Sequence, residues 1–231
     1  MRSIKAIFVK QAKDMTKNYS VLIMFIIFPL VALAMTVFVA RDNPDMPETM
    51  FVSMMASVFI GMALIQSASA VIAEDREKKS LKFLAMAGVK PLSYLLGIGG
   101  VIFAASIVSS TAFGLIGSFN RSEFLTFMVI MLSGAIASIV LGATIGIYSK
   151  NQQAATGLSM PIAAVLGFGP MLAQFNEQIE RIFRFFYTQQ INVVVNDFTA
   201  ELLTPVAIIW ANTAILTIIF AVVYAKKGLR N

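Results

Sequence analysis

Residues 73–91 read AEDREKKSLKFLAMAGVKP, Ala73 to Pro91. Eight of the chain's thirty charged residues fall in this stretch. An uncharged run of 25 residues, Thr49–Ala73, leads into it, and another of 30, Pro91–Asn120, leaves it. A water-soluble domain does not separate charge in this way, because charged residues make up about a quarter of it and spread over its surface. Here 13% of 231 residues are charged and 58% are hydrophobic, with a mean hydropathy of +0.81.

Four more uncharged windows complete the pattern: Asn18–Ala40 (23 residues), Phe124–Ser149 (26), Asn151–Asn176 (26) and Leu202–Ala225 (24). About 20 helical residues cross a hydrocarbon core of about 30 Å, so each window is long enough. Helices follow because an unclosed strand leaves backbone groups unpaired in lipid. The sequence therefore predicts an all-α polytopic membrane protein with one transmembrane domain, 1–231. Its six spans are expected at about 19–40, 50–73, 93–118, 124–149, 153–175 and 203–225. The first window is expected to be a retained span. The basic segment before it is long for a signal peptide, the apolar run is too long, and Phe38 stands where a cleavage site needs a small residue. Pro29, near its middle, is expected to kink it.

Orientation comes from Lys and Arg. Fourteen of eighteen lie on one side: Arg2, Lys5, Lys10, Lys13 and Lys17 before the first span, Arg76, Lys78, Lys79, Lys82 and Lys90 in the loop quoted above, Lys150, and Lys226, Lys227 and Arg230. Arg41, Arg121, Arg181 and Arg184 lie on the other. The positive-inside rule puts both termini and the 73–91 loop in the cytoplasm. The net charge of +6 then reflects topology and anionic headgroups, and it is no argument for nucleic acid.

Residues 2–17 read as an amphipathic interfacial helix, with Ile4, Ile7, Phe8, Ala12 and Met15 on one face and the basic residues opposite. The alternative is a solvated basic tail. The segment 176–201 is expected outside the cell. It repeats apolar residues at Ile179, Ile182, Phe183 and Phe186, predicting a short amphipathic helix that lies on the membrane or dips into it. The alternative there is a plain loop. In the fourth span Gly134, Ser138, Gly142 and Gly146 form a small-residue ridge for close helix packing, within the subunit or between subunits. Gly97, Gly99 and Gly100 allow a bend or close packing at the start of the third.

Several chemistries are excluded. The chain has no cysteine and no histidine, hence no disulfide, no thiolate metal ligand and no imidazole shuttle, and no metal site is expected. No Gly-x-x-x-x-Gly-Lys-Ser/Thr phosphate loop occurs. No acid or base lies inside an apolar window, which argues against an ion-coupled carrier and against an intramembrane enzyme. Among the polar groups that remain, Gln66 and Asn212 are the candidate pathway residues; the alternative is ordinary hydrogen bonding between helices.

The 73–91 loop is longer than a turn needs. Its charges come first, then the apolar set Leu81, Phe83, Leu84, Ala85 and Met86, then Gly88 and Pro91 as stop signals. Charge beside a small apolar knob suits docking of a cytosolic partner; the alternative is a helix holding lipid headgroups. The run EDREKKSLKFLAMAGVKPLSYLLG, Glu74 to Gly97, resembles the cytoplasmic loop of type-2 ABC exporter permeases, Glu-Arg-Glu-x-Gly-Thr-Leu-Glu followed by apolar residues, a proline and a Tyr-x-x-Gly-Lys-like turn. Arg76, Glu77, Ser80, Leu81, Leu84, Pro91, Tyr94 and Gly97 fit it, while Lys79 stands for the glycine and Lys82 for the second acid. FIIFPL (Phe25–Leu30) and the six-span layout also fit.

The resemblance implies the membrane permease subunit of an ATP-driven exporter in a bacterial plasma membrane. Its cargo would be amphipathic or hydrophobic: a peptide, drug or lipid-like molecule. Loop 74–91 would couple it to a cytosolic ABC ATPase, present in two copies and carrying the ATP and Mg, with Glu74, Arg76, Glu77, Lys79, Leu81, Leu84 and Pro91 as coupling residues. The chain itself would bind no cofactor and catalyse nothing. A second permease chain, identical or related, would complete the pore. The rival readings are a membrane scaffold that recruits a cytosolic protein and transports nothing, and the disfavoured ion-coupled carrier.

Overall fold

The computed structural model describes residues 2–43, 46–47, 49–80, 83, 86, 88, 91–199 and 201–228. Over these residues all regular structure is helical: α1 (Arg2–Lys17), α2 (Tyr19–Met35), α3 (Met50–Val58), α4 (Ile65–Glu77), α5 (Pro91–Ile116), α6 (Arg121–Tyr148), α7 (Gln152–Ala173), α8 (Glu177–Phe183), α9 (Tyr187–Asn196) and α10 (Leu203–Val223). Wider π-helical turns extend α2 (Thr36–Ala40), join α3 to α4 (Phe59–Leu64) and follow α10 (Tyr224–Gly228). Six stretches are long and apolar enough to cross a membrane: Val21–Ala40, Met50–Glu77, Leu92–Ile116, Arg121–Tyr148, Gln152–Ala173 and Leu203–Lys227.

Asparagine marks four of the helix starts. Asn18, Asn120, Asn151 and Asn176 each turn a side-chain oxygen onto backbone N–H groups that the first turn cannot satisfy itself. At Asn120 the cap is reciprocal: its Oδ1 accepts from Glu123 N at 3.0 Å, and Glu123 Oε2 accepts from Asn120 N at 3.0 Å. α2 runs through Pro29 and continues to Met35.

The second span is the axis of the bundle. Seventy-eight per cent of its apolar stretch is buried, against 28% in the first span and 17% in the sixth, which face outward. Phe59, fully buried in the π-turn, stacks edge-on to Phe25 (5.7 Å) and lies against Phe113 (5.7 Å), so spans one, two and three meet on one ring. Gly61 brings the same turn against α7: a Cβ there would stand 2.6 Å from the Gly167 backbone nitrogen.

The small-residue ridge of α6 lies against the second span. Ser138 Oγ donates to the Ile60 carbonyl at 2.7 Å and is 2.8 Å from the Tyr187 hydroxyl. A Cβ on Gly142 would meet the Ile65 carbonyl oxygen at 2.4 Å, and one on Gly146 the Ser69 carbonyl oxygen at 2.7 Å. A Cβ on Gly134 would meet Ile191 at 2.5 Å. Backbones approach this closely only where side chains are missing.

The glycines of α5 serve packing. A Cβ on Gly97 would lie 2.6 Å from Ile7, one on Gly100 3.3 Å from Phe8, and one on Gly99 3.1 Å from Ile139. The apolar face of α1, with Ile7 and Met15 buried, is therefore covered in part by α5. The segment after α7 forms two helices where the apolar repeat predicts one. α8 carries no buried residue, whereas α9 buries Tyr187, Ile191, Val194 and Val195 among α3, α6, α7 and α10.

Candidate functional site

Successive side chains on a helix point about 100° apart, so four consecutive polar residues at the end of a buried helix reach four different neighbours. The end of α4 does this. Glu74 pairs with Lys78 one turn on, at 2.5 Å. Asp75, 7% exposed, accepts from Lys10 Nζ of α1 at 2.9 Å and from the Tyr94 hydroxyl of α5 at 3.1 Å. Arg76 Nη1 donates to the Ile147 carbonyl in the last turn of α6. Glu77 Oε2 accepts from the Gln152 backbone N–H, the first of α7, at 3.1 Å.

Each charge suits its partner. The last carbonyls of α6 and the first N–H groups of α7 lack intrahelical partners, and a cation at a helix C-terminus and an anion at an N-terminus complement the dipoles. A buried polar group needs hydrogen-bond partners, and Asp75 has two donors, Lys10 Nζ and the Tyr94 hydroxyl. Burial pulls the Lys10 ammonium down, but the hydrogen bond and charge of Asp75, with Asp14 at 3.7 Å, outweigh it and hold the pKa above its ordinary value. α4 is thus tied at one level to α1, α5, α6 and α7.

Beyond the clamp the chain turns away. Lys79 takes a left-handed conformation (φ 59°), which favours glycine; this is the position where the resembled pattern has glycine. Ser80, Phe83 and Met86 have helical backbone, Phe83 and Met86 are 65% and 66% exposed, and Gly88 is again left-handed at φ 77°. Leu81 and Leu84 lie outside the described residues. Pro91 is the first residue of α5, where a missing N–H is harmless.

The two pathway candidates are far apart in role. Gln66, two to three turns before the clamp on the same span, lines a cavity of about 410 Å³ with Asn18, Met24, Ser67, Gln152 and Thr156. Asn212 is tied locally: its Nδ2 donates to the Phe185 and Ile208 carbonyls, both at 2.9 Å, joining α10 to the turn between α8 and α9. Nothing brings the two together among the described residues. No three Asp, Glu, His or Cys residues gather there in a metal-binding group either.

Sequence reasoning passed over Asp75 and Lys10 as a pair. Asp75 follows Val71 by four positions on the inward face of α4, a register that singles it out among the charges of the loop. Tyr94 entered only through its place in the motif.

A family model described as ABC-2 family transporter protein matches residues 45–225. No curated protein matches the chain. The matched region takes in the second to fifth apolar stretches, all but the end of the sixth, and the whole of the α4 clamp except Lys10. The chain is a multi-pass membrane permease belonging to the ABC-2 family of transporter proteins.

Proposed function

We propose that this chain is the membrane half of an ATP-driven exporter and that residues 74–91 are its coupling loop. Permeases of this family generally pair with ABC ATPase subunits. In this reading both termini and the loop face the cytoplasm, segment 176–201 faces outside, and residues 1–231 form one permease domain. Two ATPase copies dock on two permease chains, identical or related. The cargo is an amphipathic or hydrophobic molecule (peptide, drug or lipid-like) taken out across a bacterial plasma membrane.

The observation that carries the reading is the clamp on α4. A lever works only if its short end is fixed to what must move. Asp75, Arg76 and Glu77 engage the helices around α4, with buried or helix-terminal partners. Force applied to the loop just beyond them is shared by α1, α5, α6 and α7. Exposed Phe83 and Met86 offer the apolar knob on which a partner can push. A scaffold would use the same knob but has no need of the clamp.

The test is reconstitution of the permease pair with its ATPase in vesicles. ATP-driven export is expected, and Glu77→Lys or Leu84→Asp is expected to uncouple hydrolysis from transport while the protein stays in the membrane. ATP-driven uptake alone would overturn the direction, and activity without any ATPase would overturn the class.

A further inference from the structure

Below the clamp lies a cavity of about 570 Å³, bounded by α1, the start of α2 and the last turns of α4. Its charged lining is balanced: Lys10, Lys17 and Lys78 face Asp14, Glu74 and Asp75. Each carboxylate already touches a lysine, whereas Lys17 has no ionic partner among the described residues. Asp14 is held only loosely, at 3.7 Å from Lys10, and its side chain is 54% exposed. Asp14 and Lys17 are three residues apart on α1 and so stand side by side on the helix surface.

The rest of the lining is divided by chemistry. Met15, Val21 and Val71 form an apolar wall, while Asn18 and Ser80 add neutral hydrogen-bonding groups. The cavity sits where the first span begins and the second ends, the height at which headgroups meet the hydrocarbon. An anion alone would meet three carboxylates, and a cation alone three lysines. A ligand with both charges a few bonds apart satisfies Lys17 and Asp14 together.

We infer that this cavity binds the headgroup of a zwitterionic phospholipid, its phosphate on Lys17 and its ammonium on Asp14, with the glycerol end along Met15, Val21 and Val71. The inference rests on the reading of α1 as an interfacial helix. It would make the setting of the clamp sensitive to lipid composition, because Lys10 and Asp75 form one wall of the site.

The test is lipid retention by the full chain, released from nanodiscs of equimolar phosphatidylethanolamine and phosphatidylglycerol with matched acyl chains and weighed by native mass spectrometry. One charge-assisted contact at a half-exposed site corresponds to about a fivefold preference. The wild type is expected to retain phosphatidylethanolamine about fivefold over phosphatidylglycerol. Lys17→Gln removes the phosphate contact that both lipids share and is expected to lower the retention of both about fivefold, and Asp14→Asn, which removes the ammonium contact and leaves the site with an excess cation, to shift the preference toward phosphatidylglycerol. Equal or greater retention of phosphatidylglycerol by the wild type would overturn the assignment, as would an Asp14→Asn preference unchanged from wild type. Full displacement of the lipid by water-soluble phosphoethanolamine would overturn its lipid source. No ATPase enters the assay, so failure here leaves the exporter reading standing, and success does not depend on it.

Discussion

Gly142→Ala adds a single methyl group where α6 crosses α4. That methyl would stand 2.4 Å from the Ile65 carbonyl oxygen and 2.7 Å from Ala68 Cβ. Ordinary contact needs about 3.5 Å, so the helices must part by about 1 Å. A backbone carbonyl cannot rotate aside as a flexible side chain can, so the strain belongs in the upper half of the overpacking range, about 2–3 kcal/mol. Alanine's better helix propensity returns about 1 kcal/mol, leaving a net loss of about 1–2 kcal/mol. Gly157→Ala in α7 is the control, since a Cβ there meets nothing within 4 Å, and only the gain of about 1 kcal/mol remains. Thermal unfolding in mild detergent, followed by the fluorescence of the sole tryptophan, Trp210, reads both. At about 2–4 °C per kcal/mol for a chain of this size, Gly142→Ala is expected to lower Tm by about 2–8 °C and Gly157→Ala to leave or raise it. A Gly142→Ala protein that melts at or above the wild type would refute the packing argument, and equal losses in both variants would show that the reasoning ignores something common to all glycines.

Other consequences can be measured the same way. Ser138→Ala leaves the Ile60 carbonyl and the Tyr187 hydroxyl without the hydroxyl that joins them, and is expected to destabilise by about 1–3 kcal/mol, against about 1 kcal/mol for Tyr187→Phe; the reverse order would contradict the geometry. Lys79→Gly removes a side chain from a left-handed position (φ 59°) and is expected to stabilise by about 1 kcal/mol; a fall in Tm would count against it. Because the folded state raises the Lys10 pKa, the stability this pair contributes is fully present below the unfolded value, about pH 10.4, and is lost as pH rises through the folded one. The Tm difference between wild type and Lys10→Met is therefore expected to stay constant through neutral pH and to shrink only in strong alkali; a difference that vanished near neutrality would contradict it.

Six spans were legible because lipid imposes one demand on every crossing segment, an uncharged run of sufficient length, and charges at 41–48, 74–90, 121–123, 150 and 177–201 interrupt it. The register of small residues on α6 is equally plain in the sequence, but what they touch is not: any close helix would satisfy Gly142, and only the fold chooses Ile65. α9 escaped notice for a related reason. Its amides Gln189, Gln190 and Asn192 carry no apolar signal in the sequence, yet all are buried, with Asn192 accepting from Gln174 at 2.8 Å. Whether an amide faces water or a partner is decided by a residue elsewhere in the chain. The same holds for Asp75 and Lys10, 65 residues apart. Lys10 served in the sequence as a marker of orientation and Asp75 as one charge of the loop, and helical register alone does not reveal that a basic face on α1 and an acid on α4 meet. Arg76 and Glu77 were picked out through the motif; their partners, the ends of α6 and α7, belong to a loop far along the chain.

The most direct test of the account is to purify the tagged chain from its own cells in mild detergent and identify what accompanies it in stoichiometric amount. A soluble ATPase with a phosphate loop is expected, present with the wild type and lost from the double variant Phe83→Asp, Met86→Asp, which alters only exposed positions of the loop. A chain that emerges alone, with a partner that hydrolyses no nucleotide, or with an ATPase indifferent to those substitutions would contradict the coupling role given to residues 74–91.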